Sequence, residues 1–416
     1  MNIILLSGGS GKRLWPLSNE VRSKQFIKLF KTDSGEYESM VQRIYRQIMT
    51  MDRNANVTIA TSRSQASAIH NQLGDKVSIC VEPCRRDTFP AIVLSSAYLY
   101  DQLGVSEDES VIVCPVDPYV DDSYFECVRR LGQLVQSKNA NLMLMGILPT
   151  YPSEKYGYII PADDEEISRV RQFKDAGVFA FKLGYLLEKA HSLIEFKKYN
   201  DLYEKYETLP KISFDYAVVE KEPSIQVLRY AGDWKDVGTW NMMAEVMQDN
   251  IKGKAIMDET CENTQIINEM NIPIIAMGCK NMVIAVSSDG ILVADKERSG
   301  HMKDYVDKMC TDVMFAEKSW GTFTVVDAQP GALTIKVSMR AGEQMAYHSH
   351  HFRDEVWTVI AGTGRATLDG KSCFLHAGDV LRIPTGCKHT VHAETDLDII
   401  EVQLGETISV EDKSKY

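Results

Sequence analysis

At 416 residues the chain is longer than one average domain, so two or three are expected. A hydrophobic share of 44% and a charged share of 25% exclude a mainly disordered chain. A formal net charge of −12 excludes a general nucleic-acid binder, which needs a positive field to gather phosphates, so anionic ligands must be held by local cationic pockets. Nine cysteines, scattered without a C-x-x-C pair, fit a reduced cytoplasmic protein better than a disulfide scaffold. The N-terminal apolar run is too short for a secretory signal, and no stretch approaches the ~20 apolar residues of a membrane span.

The run Ile3–Leu6 predicts a buried first strand. It leads into Ser7-Gly8-Gly9-Ser10-Gly11-Lys12-Arg13, where three glycines let the backbone take positive φ and aim several N–H groups at one anion. A helix beginning after this loop would add its N-terminal partial charge. Arg13 and Lys24 supply full charges, one as a planar fork and one as a point charge. A phosphate-rich ligand is the expected guest; a plain tight turn is the alternative, since the string is neither a Walker A loop nor G-x-G-x-x-G.

Ser39–Met51 carries Met40, Val41, Ile44, Tyr45 and Ile48 at amphipathic-helix spacing. Strands are expected at Val57–Thr61, Val77–Val81 and Ser110–Val116, and helices at Ser64–Leu73 and Ala91–Leu103. This alternation points to βαβ units around a mainly parallel sheet, with ligands beyond the carboxyl ends of the strands. Asp117, directly after a buried strand, suits a hard cation that also takes phosphate oxygens. From Asn250 to about Met309, short apolar pieces (Thr264–Ile267, Ile272–Ala276, Met282–Ser287, Ile291–Ala294) predict a small β-rich connector without a catalytic group.

Six of the nine histidines follow residue 347. Gly342-x5-His348-x-His350-x4-Glu355-x6-Gly362 and Gly378-x5-Pro384-x-Gly386-x2-His389 fit the two cupin motifs, with Ala393 in place of the usual Asn. Residues two apart on a strand share a face. His348, His350, Glu355 and His389 would then meet inside a small antiparallel barrel or jelly roll. Three imidazoles and a carboxylate suit a divalent transition metal, Zn²⁺ or similar.

The string Gly8–Ser18 with Lys24-Gln25-Phe26 resembles the signature of sugar-1-phosphate nucleotidyltransferases, and within them that of mannose-1-phosphate guanylyltransferases. Lys12 stands where Thr is usual and Ser23 where Pro is. Glu82–Ala91 resembles the family's E-P-x-x-R-N-T-A-P-A, which lies near the nucleotide, with Arg86 as a phosphate or base contact. Cys114–Pro118 resembles P-x-D-H, with Asp117 as a Mg²⁺ ligand and Pro118 in place of His; Asp233–Trp240 resembles W-x-D-V-G-S-W, with Asp236 as the second. Lys155–Ile159, containing Gly157 and Tyr158, and Ile212–Lys221, containing Asp215, Glu220 and Lys221, resemble the sugar-side motifs. Around Val170–Phe181 the family's E-K-P, its helical insert and the Asn of W-N-S-G are missing, although Gly177-Val178-Phe179 matches the motif's end.

The resemblance implies a Rossmann-like nucleotidyltransferase domain over 1–250, a short left-handed β-helix over 251–309 and a cupin over 310–416. It implies that Ser7, Gly8, Gly9, Ser10, Gly11 and Arg13 hold the triphosphate of GTP, that Lys24 steadies the α-phosphate, and that Mg²⁺ sits on Asp117 and Asp236. A sugar-1-phosphate oxygen then attacks the α-phosphorus to give GDP-mannose and pyrophosphate. The tail resembles the type II phosphomannose isomerase domain through Lys318–Gly321, His350–Trp357 and Ile400–Gln403, with His348 in place of Gln and a divergent Thr407–Tyr416. In that reading it interconverts mannose-6-phosphate and fructose-6-phosphate, with Arg353 and Lys388 on the 6-phosphate. A cytoplasmic homo-oligomer, in the simplest case a dimer, is expected. Two alternatives stay open: a transferase for another sugar or base with a non-catalytic metal-binding cupin, and a sugar-nucleotide sensor.

Overall fold

The computed structural model describes residues 1–9, 12–19, 21–137, 140–147, 158–159, 173–309, 313–409 and 412–416. The chain divides into two compact units, Met1–Ser10 with Ser23–Gln248, and Gly11–Arg22 with Asp249–Tyr416.

The first unit orders β1 (Asn2–Ser7), α1 (Met40–Met51), β2 (Asn56–Ser62), α2 (Arg63–Leu73), β3 (Ser78–Glu82), α3 (Thr88–Asp101), β4 (Ser110–Pro115), β5 (Pro118–Val120), α4 (Asp122–Ser137), β6 (Leu142–Ile147), β7 (Phe173–Lys182), α5 (Leu183–Leu193), β8 (Ile225–Tyr230) and β9 (Trp234–Asp236). The large sheet runs β8-β6-β7-β4-β1-β2-β3. Neighbours are parallel except at β7, which lies antiparallel to both β4 and β6 and shifts register between Asp175 and Phe179. Gly177, with φ +66°, sits in that bulge, where an L side chain would be strained. Ile3, Ile4, Leu5, Ile112 and Val113 are fully buried, as expected for strands covered on both faces.

Local chemistry sets the helix starts. The Ser39 hydroxyl accepts from Gln42 N at 3.3 Å while the Gln42 side chain accepts from Ser39 N at 3.1 Å, a capping box that fixes the start of α1. α3 begins at Thr88, ahead of the apolar run, because the Asp87 carboxylate accepts from Thr88 N at 2.7 Å. Phe89 to Ala97 is buried throughout, so α3 is a core helix rather than an amphipathic one.

In the second unit, β10 (Ile251–Lys252), β11 (Ala255–Met257), β12 (Gln265–Asn268), β13 (Ile274–Ala276) and β14 (Met282–Ser287) stack as short parallel rungs, β10-β12-β14 on one side and β11-β13 on the other. β15 (Gly290–Asp295) closes the stack antiparallel to β14. Eleven strands follow: β16 (Phe315–Lys318), β17 (Gly321–Gln329), β18 (Ala332–Met339), β19 (His348–Ser349), β20 (Asp354–Ala361), β21 (Thr363–Leu368), β22 (Lys371–His376), β23 (Val380–Ile383), β24 (His389–Ala393), β25 (Leu397–Leu404) and β26 (Ser414–Lys415). They form two antiparallel sheets, β16-β17-β18-β25-β20-β23 and β22-β21-β24-β19-β26. Burial alternates along β25, and Val337, Trp357, Val359, Leu375, Val391 and Ile399 fill the core between the sheets. This is the jelly roll expected from the histidine motifs. Among the described residues no helix is long and apolar enough to cross a membrane.

Candidate active site and metal centre

In the first unit Ser7 pairs with Thr61 and Ser62 with Glu82, so the loops leaving β1, β2 and β3 share one rim. Gly8, Gly9, Ser62, Arg63, Ser64, Gln65, Glu82 and Arg85 line a cleft of about 220 Å³ there, with Pro83 and Cys84. Gly9 takes φ +131°, a conformation that favours glycine. Its carbonyl is tied down by Ser23 Oγ at 3.0 Å, Gln65 Nε2 at 3.2 Å and Arg85 Nη2 at 3.3 Å. Gln65 Nε2 also donates to Ser23 Oγ at 2.6 Å, Gln25 Nε2 to Ser7 Oγ at 3.1 Å and Thr61 Oγ1 to Gln65 Oε1 at 3.3 Å. These five side chains are buried. They fix the acceptor of the glycine loop inward, which lowers the repulsion an anion meets at the loop.

Arg86 turns from this cleft and donates to the Glu207 carbonyl; Arg85 and Arg63 are the cations on the rim. Glu82 accepts from Tyr206 Oη at 2.7 Å. Burial pushes its carboxyl above the usual range, against the pull of Tyr206 and Arg85. Ser10 and Gly11 lie outside the described residues. Arg13 lies in the 3₁₀ turn Lys12–Leu14, within the segment that groups with the second unit.

A second cluster forms where β4 ends. β5 and β9 pair antiparallel with Asp236 opposite Pro118, which brings Asp236 beside Asp117 although they are far apart in sequence. Lys24 Nζ lies 3.0 Å from Asp117 Oδ2 and 3.6 Å from Asp236 Oδ1. The carboxylates are 43% and 34% exposed, which leaves room for the waters that Mg²⁺ keeps. Two carboxylates within reach of one cation are therefore a donor set that fits a hard divalent ion.

This hairpin is braced from behind. Asp121 accepts from Ser123 N at 2.8 Å, Tyr230 Oη at 3.1 Å and Asp233 N at 3.2 Å. Burial opposes ionisation, but these donors outweigh it and hold Asp121 below the usual carboxylate range. On the other side, Arg43 and Gln47 of α1 donate to the Val120 carbonyl at 3.3 and 3.2 Å. The sequence reading missed Asp121, Gln47 and Gln65; isolated polar residues on loops and amphipathic helices carry no local signal of such partners.

Of the sugar-side residues, Gly157 and the side chain of Tyr158 lie outside the described residues; the Tyr158 backbone pairs with Lys174. Asp215 sits in the short helix Phe214–Ala217 capped by Ser213. Glu220 and Lys221 are exposed in the turn Val219–Lys221. None of these three lines the cleft at Gly8 and Gly9.

In the second unit His348 lies directly across from His389 on paired strands. The candidate ligand atoms of His348, His350 and His389 lie within 4.8 Å of one another, and all three residues are buried. His348 Nδ1 donates to the Ala346 carbonyl at 2.6 Å, His389 Nδ1 to the Cys387 carbonyl at 3.0 Å, and His350 Nδ1 to the Asp412 carbonyl. This network assigns the tautomers and leaves each Nε2 with its lone pair. Glu355 Oε1 is 3.0 Å from His350 Nε2 and Oε2 is 3.3 Å from His389 Nε2. The His389 Nε2 is buried without a hydrogen-bond partner. Burial holds the His348 pKa down at about 3, helped by the charge of Lys413, so its ring stays neutral, the ligating form. An orphaned imidazole nitrogen facing two more and a carboxylate fits a divalent transition metal.

Two further residues support this centre. Asp412 supplies its carbonyl to His350 and its carboxylate to His351 N at 2.7 Å and Phe352 N at 3.0 Å; nothing in the divergent tail sequence marks it. Arg353, expected on a sugar phosphate, is 8% exposed and braces the site instead. Its Nε donates to Glu355 at 3.1 Å and its Nη1 to the Ser409 carbonyl at 2.8 Å. Lys388 lies over the Tyr416 ring at 3.7 Å.

Comparison with known proteins agrees with both halves. The chain is 27% identical to the xanthan biosynthesis protein XanB of Xanthomonas campestris pv. campestris (strain B100), covering 99% of this chain and 97% of that one. It is 26% identical to the mannose-1-phosphate guanylyltransferase RfbM of Salmonella typhimurium, covering 98% and 95%. The first alignment runs over 465 positions, more than the chain's 416 residues, so this chain lacks segments its relative carries. A crystal structure described as mannose-1-phosphate geranyltransferase from Thermus thermophilus matches with a TM-score of 0.58 and 25% identity, over 74% of this chain and 98% of that one. The family described as mannose-6-phosphate isomerase C-terminal matches residues 307–416. The nucleotidyl transferase family matches residues 2–253, most of the chain and all of the glycine loop, Lys24, Asp117 and Asp236: the chain belongs to the nucleotidyl transferase family.

Proposed function

We propose that this protein joins mannose-1-phosphate to GTP, giving GDP-mannose and pyrophosphate. Family membership and whole-length likeness to relatives described as mannose-1-phosphate guanylyltransferases support this reading. The observation that carries it is Lys24 set against Asp117 and Asp236. The attacking sugar phosphate oxygen is already an anion, so neither a side-chain nucleophile nor a strong base is needed. Catalysis is alignment and neutralisation of developing charge.

Gly8 and Gly9 offer backbone N–H groups to the triphosphate, Arg85 offers charge, and Lys24 steadies the α-phosphate. Held by Asp117 and Asp236, a divalent ion supplies charge neutralisation on phosphate oxygens. With E-K-P and W-N-S-G missing, we infer that the sugar pocket is partly rebuilt and that Gly157, Tyr158, Asp215, Glu220 and Lys221 contact the sugar. A matrix of nucleoside triphosphates against sugar-1-phosphates, with pyrophosphate as readout, tests the reading: GTP with mannose-1-phosphate is expected to lead. No pyrophosphate from any pair, despite saturable nucleotide binding, leaves a sensor.

The histidine cluster favours a second activity in the C-terminal unit. We propose that His348, His350, His389 and Glu355 hold a divalent transition metal and that this fold interconverts mannose-6-phosphate and fructose-6-phosphate. Such a metal, when bound, polarises a sugar oxygen beside the carbon that loses a proton. Elemental analysis is expected to find one transition metal per chain, and a chelator is expected to stop the conversion. Bound metal without conversion leaves a metal-binding module. Among the described residues the eight cysteines are free, which supports placement in the cytoplasm; light scattering tests the expected dimer.

A further inference from the structure

Lys24 stands where two demands compete. Its ammonium lies 3.0 Å from Asp117 and 3.6 Å from Asp236, on the carboxylates that a divalent cation has to take. The backbone that carries it is fixed, because the neighbouring Ser23 is buried and its hydroxyl is bound to the Gly9 carbonyl. The backbone beside the carboxylates is held as well, by the β5–β9 pairing and by Asp121 behind it. What remains free to move is the four-carbon stem of Lys24, and the side chain is 20% exposed. An ammonium and a divalent ion crowded onto the same two carboxylates repel each other strongly. One has to leave, and the glycine loop, joined to Ser23 through Gly9, is where anionic phosphate offers the ammonium another partner.

We propose that Lys24 is an exchangeable internal cation. It neutralises Asp117 and Asp236 until a nucleoside triphosphate draws its ammonium away, and only then are the carboxylates open to the metal. Metal and nucleotide therefore load together, each raising the affinity for the other by the same factor. The inference rests on the nucleotidyl-transfer reading and adds an order to it: the chain keeps its own charge in the site and trades it for the incoming one.

The test uses the full chain, with Mn²⁺ as probe and free Mn²⁺ read by electron paramagnetic resonance. The difference from Asp117→Asn isolates this site from the histidine cluster. Without nucleotide, Lys24→Gln and Lys24→Met are expected to bind Mn²⁺ about tenfold or more tightly than the unaltered chain, while Lys24→Arg, which keeps the charge, stays weak. Adding a non-hydrolysable GTP analogue is expected to tighten Mn²⁺ binding to the unaltered chain and to add much less to Lys24→Gln. Unchanged or weaker affinity in both neutral variants, with the site still lost in Asp117→Asn, overturns the exchange and leaves the nucleotidyl-transfer reading standing. A rise in Lys24→Arg equal to that in Lys24→Gln also overturns it, since packing rather than charge is then the cause. If, with the GTP analogue present, Asp117→Asn binds Mn²⁺ as the unaltered chain does, both readings fall.

Discussion

At the scale of single residues, the first unit keeps its chemistry in a few half-exposed charges and its precision in buried neutral groups. Lys24→Ala and Asp117→Asn are each expected to lower kcat for pyrophosphate release by about 100-fold or more, the usual cost of losing a charge-stabilising group. Both melting temperatures should stay within about 4 °C of the parent, because these side chains are partly solvated. Gln65→Leu is expected to do the reverse. It leaves the Gly9 carbonyl, Ser23 and Thr61 short of partners, at a cost of about 1–3 kcal/mol, read by urea unfolding, and raises KM for the nucleotide before kcat. Lys24, Asp117 and Asp236 were legible because they stand in motifs whose order along the chain is itself a signal. Gln65 was not, since on an amphipathic helix a buried glutamine reads as one more solvent-facing polar residue. Arg353 was misread for the opposite reason: a cation beside a metal motif suggests a phosphate, yet its partners Glu355 and Ser409 are internal.

At the scale of elements, the decisive piece is the short hairpin β5–β9, which turns two separate loops into one acidic pair. The carboxylate of Asp121 is its clasp, and its pKa lies below the usual range through Ser123, Asp233 and Tyr230, against burial. A carboxylate depressed in the folded state contributes stability above its unfolded pKa of about 4, and loses that contribution as pH falls through the folded value. Asp121→Asn is therefore expected to destabilise the chain near neutral pH and to flatten the loss of stability below about pH 4, followed by fluorescence during acid titration. Gly232 belongs to the same clasp. A Cβ there would lie 2.4 Å from Tyr230 Oη and 2.8 Å from Ser123 Oγ, so Gly232→Ala is expected to cut kcat without touching any substrate-facing group. The apolar runs announced the parallel strands β1 to β4 to within a residue or two, but β6, β8 and the reversed β7 were hidden. The direction of β7 is set by pairing with β4 and β6, and the period of apolar residues is the same either way.

At the scale of the whole molecule, the two cupin motifs were readable because ligand spacing is fixed by strand geometry, whereas the contribution of Asp412 comes through a backbone carbonyl that any residue type could supply. The organisation of the N-terminal signature was equally hidden. Gly8, Gly9 and Lys24 belong to one compact unit, and the stretch between them to the other. Within that second unit Asn19 Nδ2 donates to Asp289 at 2.7 Å and to the Phe315 carbonyl at 3.0 Å, and Arg22 grips Glu269 at 2.6 and 2.9 Å. Ser287 Oγ donates to the Pro16 carbonyl at 2.6 Å, and Gly290 approaches the Trp15 indole so closely that a Cβ would lie 2.4 Å from it. A fragment of residues 1–250 keeps Lys24, Asp117 and Asp236 but removes all of these partners. It is expected to retain less than about a tenth of the pyrophosphate-releasing activity, measured beside the intact chain.

The stretch from Gly11 to Arg22 also decides where this protein can be cut and spliced. Its halves are not interchangeable cassettes with a single seam near residue 250. A chimera that takes its tail from a relative must import a dozen residues near the start of the chain as well, or Trp15, Asn19 and Arg22 will face a surface that was never shaped for them. Two crossover points, one on either side of that insert, are the natural joints for recombining this enzyme with its kin.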